Sequence, residues 1–180
     1  MKSEKSTNII LCTLSGLIVC IIIGFILAGS NIFNPRHLSF QFTLIGLLGP
    51  LLYSTLKYSS TRDFIFVLIL FILMDVIIIY NGTLTKFIIH GINEIFIALA
   101  IFLYAKKMEQ NKKFFLSNIL SISGIMAFAL FCAVLALSLF PKYDFEYSFL
   151  HGQTVFGLLI GFGIGIGIHI HSKFLLRKDA

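Results

Sequence analysis

Charge is scarce in this chain. Eight acidic and 14 basic residues among 180 leave 12% charged against 58% hydrophobic, and a water-soluble domain of this length has too much surface to cover with so little polarity. A soluble fold is excluded, and lipid is the expected solvent. Basic stripes interleaved with aromatics are also missing outside the segment Lys106-Lys107-Met108-Glu109-Gln110-Asn111-Lys112-Lys113, which argues against a nucleic-acid partner. That segment reads as a cytoplasmic anchor.

Cysteine is equally sparse. Cys12, Cys20 and Cys132 all fall inside apolar runs, so no outer loop offers a thiol for oxidative pairing and the three read as small packing residues. Catalytic signatures are lacking too: there is no HExxH, no GxSxG and no phosphate-cradling glycine loop after a strand. No pattern names a cofactor. With no soluble domain and no low-complexity linker, residues 1–180 form a single integral membrane domain.

What the chain has is six apolar runs, Asn8 to Gly29, Leu38 to Leu56, Phe64 to Tyr80, Phe87 to Ala105, Phe114 to Phe140 and Phe149 to Ser172. Each is about 17 residues or longer, which at ~1.5 Å per residue approaches or exceeds a hydrocarbon layer of ~30 Å. The expected fold is all-α, a polytopic bundle of six transmembrane helices. The first run follows Lys2 and Lys5 and ends at Ala28-Gly29-Ser30, but it is long for a secretory leader and is taken as the first membrane helix.

Assigning the intervening segments alternately to two sides places Lys2, Lys5, Lys57, Arg62, Lys106, Lys107, Lys112, Lys113, Lys173, Arg177 and Lys178 together, and only Arg36, Lys86 and Lys142 opposite. Eleven of the 14 basic residues on one side predict an inner (cytoplasmic) membrane protein with both termini in the cytoplasm. Short connections then make sequential helices antiparallel neighbours, giving three hairpins. Asn34-Pro35, Asn81-Gly82 and Phe140-Pro141 supply the stops.

The last run carries Gly157, Gly161, Gly163, Gly165 and Gly167. Four-residue spacings among them let another backbone approach closely where lipid offers no hydrophobic drive. A hinge is the alternative, since glycine also weakens a helix. Gly46, Gly49 and Pro50 mark a second packing or kink site. The first and third hairpins share Ser15-Gly16 with Ser123-Gly124 and Pro35-Arg36 with Pro141-Lys142, which raises an internal repeat. The Phe140-Pro141…His151-Gly152 element resembles a family of small six-helix bacterial membrane proteins, itself uncharacterised. The resemblance covers about the last 60 residues and implies a fold without a function.

Two carboxylates, Asp75 and Glu94, lie within runs, and an ionisable group at such depth is costly unless it is partnered or wetted. They are the leading site candidates. His90 stands four residues before Glu94 and so shares its helix face, with Asn93 beside them. Arg36, His37, Gln41, His151 and Gln153 add polarity at the same outer level. Three readings compete: a pocket for a small polar or cationic solute; a metal site in which His37, His90 and His151 join a carboxylate; and polar residues that merely sit at headgroup depth or bond between helices. His169 and His171, two apart near Lys173, read as interfacial anchors.

The expected function is an outward-facing polar cavity that binds or transports a small solute. An intramembrane enzyme acting on a lipid or lipid-linked substrate through His90, Glu94 and Asp75 stays open. So does an assembly subunit. The expected partners are accordingly the bilayer, a small solute, and membrane-protein subunits or further copies of the chain.

Overall fold

A computed structural model of the chain contains only helices and turns among its described residues. It describes the backbone of residues 2–29, 35–78, 84–108, 115–139 and 147–175, and the side chains of 4–27, 43–73, 91–106, 116–139 and 150–173. The helices are α1 Lys2–Gly29, α2 Pro35–Tyr58, α3 Thr61–Ile78, α4 Leu84–Leu103, α5 Phe115–Leu137 and α6 Tyr147–Ile170. A π-helical turn, Tyr104–Met108, follows α4, and a second, His171–Leu175, follows α6. Among the described residues three segments, Glu4–Leu27, Leu116–Leu137 and Leu150–Lys173, are long and apolar enough to cross a membrane by length and composition.

Helix ends follow local chemistry more than hydropathy. The first helix starts at Lys2, ahead of its apolar run, with Glu4 in the first turn where the helix dipole favours an acid. Proline begins α2 at Pro35, a position that needs no N–H. At the head of α3, Ser60 Oγ accepts the Asp63 N–H at 3.1 Å and the Ser60 carbonyl accepts the Phe64 N–H at 3.0 Å. This capping arrangement lets α3 begin two residues after Ser59.

The surface is apolar in stripes. On α1 the exposed residues Ile10, Leu14, Ile18, Ile22 and Ile26 recur every four positions. On α3 they are Ile65, Phe66, Ile69, Leu70 and Leu73, and on α4 Ile95, Leu99 and Leu103. Such continuous apolar stripes are foreign to a water-facing surface. By contrast, Leu48, Leu52, Tyr53, Ser54 and Thr55 of α2 are all buried, because α2 packs on α1, α3, α4 and α6. Helices adjacent in sequence are neighbours in space, and α6 returns to α1 to close the ring.

Small residues set the closest contacts. A methyl at Gly157, Gly161 or Gly165 would meet the α5 backbone at Ala127, Ser123 or Ile119, so one face of α6 descends α5 in antiparallel four-residue steps. Gly163 and Gly167 face α1 instead, against Cys20 and Gly16. Ser15 Oγ ties that contact by donating to the Gly167 carbonyl at 3.0 Å. In the first hairpin Gly46 meets Cys20, and the Pro50 ring fills the space over Gly16. The helix runs unbroken from Tyr147 to Ile170 through Gly157, Gly161, Gly163, Gly165 and Gly167.

The Ser-Gly pairs are not equivalent in packing. Gly16 is buried between α2 and α6, whereas Gly124 is exposed and a methyl there would meet nothing within 4 Å. In the third hairpin the contact falls one residue earlier, on Ser123. Both hairpins therefore use a four-residue ladder of small residues, displaced by one position relative to the sequence match.

Candidate functional site

Glu94 lies near the middle of α4 and is only 4% exposed. It shares the inward stripe of its helix with Ile97, Ala98, Ile101 and Tyr104, all buried, while Ile95, Leu99 and Leu103 face out. Helical spacing produces this division directly. Beside it, Asn93 Oδ1 is buried without a hydrogen-bond partner among the described residues. The interior of this bundle thus carries a carboxyl group and an amide oxygen.

Other residues of the expected outer cluster are less closely associated. His151 is exposed on α6 and Gln153 half-buried, and α6 packs on α1, α2 and α5 whereas α4 packs on α2, α3 and α5. The side chains of Arg36, His37, Gln41, Asp75 and His90 lie outside the described residues. Among the described residues no three His, Cys, Asp or Glu side chains converge on one point.

A second polar region lies at the other end of the bundle, where the ends of α2, α4 and α6 meet the start of α5. Here a cleft of about 390 Å³ is lined by Tyr53, Lys57 and Tyr58 from α2, Tyr104 after α4, Asn118 and Ile119 from α5, and Gly165, Ile168, His169 and Ser172 around the end of α6. Lys57 Nζ donates to the Tyr53 hydroxyl at 2.8 Å, one helical turn away. The same ammonium lies 5.2 Å from the Tyr53 ring centroid and 6.0 Å from that of Tyr58, within reach of the ring quadrupoles.

The π-helical turns help to form this end. Each begins with a buried ring placed against the end of α2: Tyr104 lies 6.1 Å from Tyr53, and His171 meets Tyr58 edge-on at 5.8 Å. An inserted residue at a helix end redirects the side chains that follow it, and such turns recur at functional sites. His171 is 1% exposed, with Nε2 buried and without a hydrogen-bond partner among the described residues. It is therefore a buried residue rather than the interfacial anchor its position suggested.

Sequence reasoning missed this cleft. It placed the unusual polarity at the outer level. A signal was present, since Tyr53, Tyr58 and Tyr104, half of the six tyrosines, stand near run ends on the basic side. Tyrosine is common at such levels as a bilayer anchor, which hides any further role. Comparison with models of protein families, with curated proteins and with solved structures finds no match.

Proposed function

We propose that the chain is a six-span protein of the cytoplasmic membrane, with both termini in the cytoplasm, that binds a small polar or cationic solute inside the bundle and can serve its passage. Helices α2, α3 and α4, of 24, 18 and 20 residues, reach about 36, 27 and 30 Å at ~1.5 Å per residue, which suits a hydrocarbon layer of ~30 Å. The apolar stripes on α3 and α4 suit contact with lipid. The distribution of 11 basic residues against three supports this orientation.

The observation that carries the solute reading is the burial of Glu94 on the inward face of α4. A charged acid at the centre of a membrane helix costs ~2.5–3.5 kcal/mol on insertion scales, and such residues characteristically line solute or ion paths. The buried Asn93 Oδ1 supplies an adjacent acceptor. Together they suit a ligand that is cationic or rich in hydrogen-bond donors.

Thermal stability of the detergent-solubilised protein against a panel of small cations, amines and polar metabolites tests this. A solute that raises the midpoint for the wild type but not for Glu94→Gln supports the proposal. Turnover of a lipid-linked compound that depends on Glu94 would replace it with the enzyme reading. Co-purifying membrane subunits without any solute effect would replace it with an assembly role.

A further inference from the structure

We infer that the cleft at the ends of α2, α4 and α6 is the cytoplasmic mouth of a path to Glu94, and that Ile97 and Ile101 of α4 form the apolar barrier that closes it. This reading builds on the assignment of Glu94 as a solute site and on the proposed orientation.

One helix face joins the two polar regions. Glu94, Ile97, Ala98, Ile101 and Tyr104 succeed one another at three- and four-residue steps along the inward stripe of α4, and each is at most 4% exposed. Tyr104 belongs to the lining of the cleft, so the stripe runs from the acid to the cleft. From Glu94 to Tyr104 the helix rises about 15 Å, at ~1.5 Å per residue, which is about half of a ~30 Å hydrocarbon layer. A solute held at the acid has that distance left to cross.

One turn inward from the cleft, α4 presents Ile101 beyond Tyr104 and α5 presents Ile122 beyond Ile119, and both isoleucines are fully buried. Leu48 and Leu52 of α2 belong to the same apolar cluster, and α4 packs on both α2 and α5. The two polar regions are thus divided by a layer of hydrocarbon. Such a constriction holds back water and ions by dewetting, without a charged or hydrogen-bonded latch.

Ala98 contributes little bulk, which leaves Ile97 and Ile101 to fill this stretch of α4. An isoleucine in a helix is confined to essentially one χ1 rotamer. The barrier therefore opens by parting of the helices and not by a side chain swinging aside. On its cytoplasmic side the cleft of about 390 Å³ falls within the ~300–1,000 Å³ of small-molecule sites, room enough for a small hydrated solute to wait.

Cysteine accessibility in the full chain tests the barrier. In a background free of Cys12, Cys20 and Cys132, Ser172→Cys in the cleft lining and Asn93→Cys beside the acid are treated in inverted membrane vesicles with a charged, membrane-impermeant methanethiosulfonate. Ser172→Cys should react readily and Asn93→Cys should be protected from this face. Adding Ile101→Ala should speed the reaction of Asn93→Cys about tenfold or more, because it removes most of the hydrocarbon at one level of the constriction. Ile97→Ala gives an independent reading should Ile101→Ala fold poorly. Leu99→Ala, a similar truncation on the outward face of the same helix, should leave the rate unchanged. Ready reaction of Asn93→Cys with both isoleucines in place, no acceleration in either isoleucine variant, equal acceleration by Leu99→Ala, or reaction of Ser172→Cys from the outer face alone would each overturn the inference. Faster labelling without any solute effect on thermal stability would keep the barrier and remove the solute reading of Glu94. A Glu94-dependent solute with unchanged labelling would keep that reading and remove this path.

Discussion

Replacing Gly167 by alanine tests directly whether backbone proximity holds this bundle together. The added methyl would fall on the Gly16 backbone, 2.7 Å from its nitrogen and 3.1 Å from the Ser15 carbonyl carbon. Because those obstacles are main chain, no side-chain rotation relieves them, and α1 and α6 must separate by about 1 Å. Overpacking of this kind costs ~1–3 kcal/mol. The same separation strains the bond from Ser15 Oγ to the Gly167 carbonyl, and an intramembrane hydrogen bond contributes ~0.6 kcal/mol on average. Against this stands the better helix propensity of alanine, ~1 kcal/mol. The net expectation is a loss of roughly 0.5–2.5 kcal/mol. Gly124→Ala is the matched control, since it makes the same chemical change where a methyl meets nothing within 4 Å, and it should be neutral or slightly stabilising. Unfolding of both variants in one detergent, followed by circular dichroism, gives the comparison. Equal midpoints for Gly167→Ala and Gly124→Ala would refute the close-packing account of α6.

Bulk should tell the same story on the α5 face, where Gly161→Leu and Gly165→Leu are expected to reduce monodispersity after extraction far more than Leu159→Ala. At the α2–α3 turn, Ser60→Ala removes the acceptor for the Asp63 N–H and should cost about 1 kcal/mol of local stability, visible as faster amide exchange at the start of α3. Asp63 lies outside the apolar run, and hydrogen bonds from Ser59 and Ser60, helped by the Arg62 charge, hold its carboxyl below the ordinary value of 3.8. A lowered folded-state value means that this turn is favoured above that range and loses the contribution as pH falls through the lowered value. Carbon NMR of labelled aspartate should therefore show the Asp63 midpoint rising in Ser59→Ala, and an unchanged midpoint would remove the Ser59 bond from the account.

Much of the helical pattern was legible because lipid exposure demands long, uniform apolar stretches, and Ile10 to Ile26 or Leu116 to Leu137 leave little else to form. Helix ends were less so. The first turn of α1 is polar and invisible to hydropathy, and the π-helical turns at Tyr104 and His171 depend on contacts with α2 that no local pattern encodes. The inward setting of Glu94 follows from the four-residue spacing of its apolar neighbours. The cleft does not, because Lys57, Tyr104, Asn118 and His169 are far apart in sequence and meet only once the ring of helices closes. Composition also misled at Ser123-Gly124, whose match to Ser15-Gly16 is one residue out of step with the packing.

The number of membrane crossings is the claim on which the orientation, the solute site and the cytoplasmic cleft all depend, and the sidedness of the chain decides it. Six spans put both termini on one face, whereas three would put them on opposite faces. In a background free of Cys12, Cys20 and Cys132, single changes Ser3→Cys, Asn31→Cys, Asn81→Cys, Gln110→Cys, Tyr143→Cys and Asp179→Cys are labelled in intact cells with a membrane-impermeant maleimide. The account predicts outside labelling at 31, 81 and 143 and protection at 3, 110 and 179 until the membrane is opened. Outside labelling at 110, or at one terminus and not the other, would contradict it.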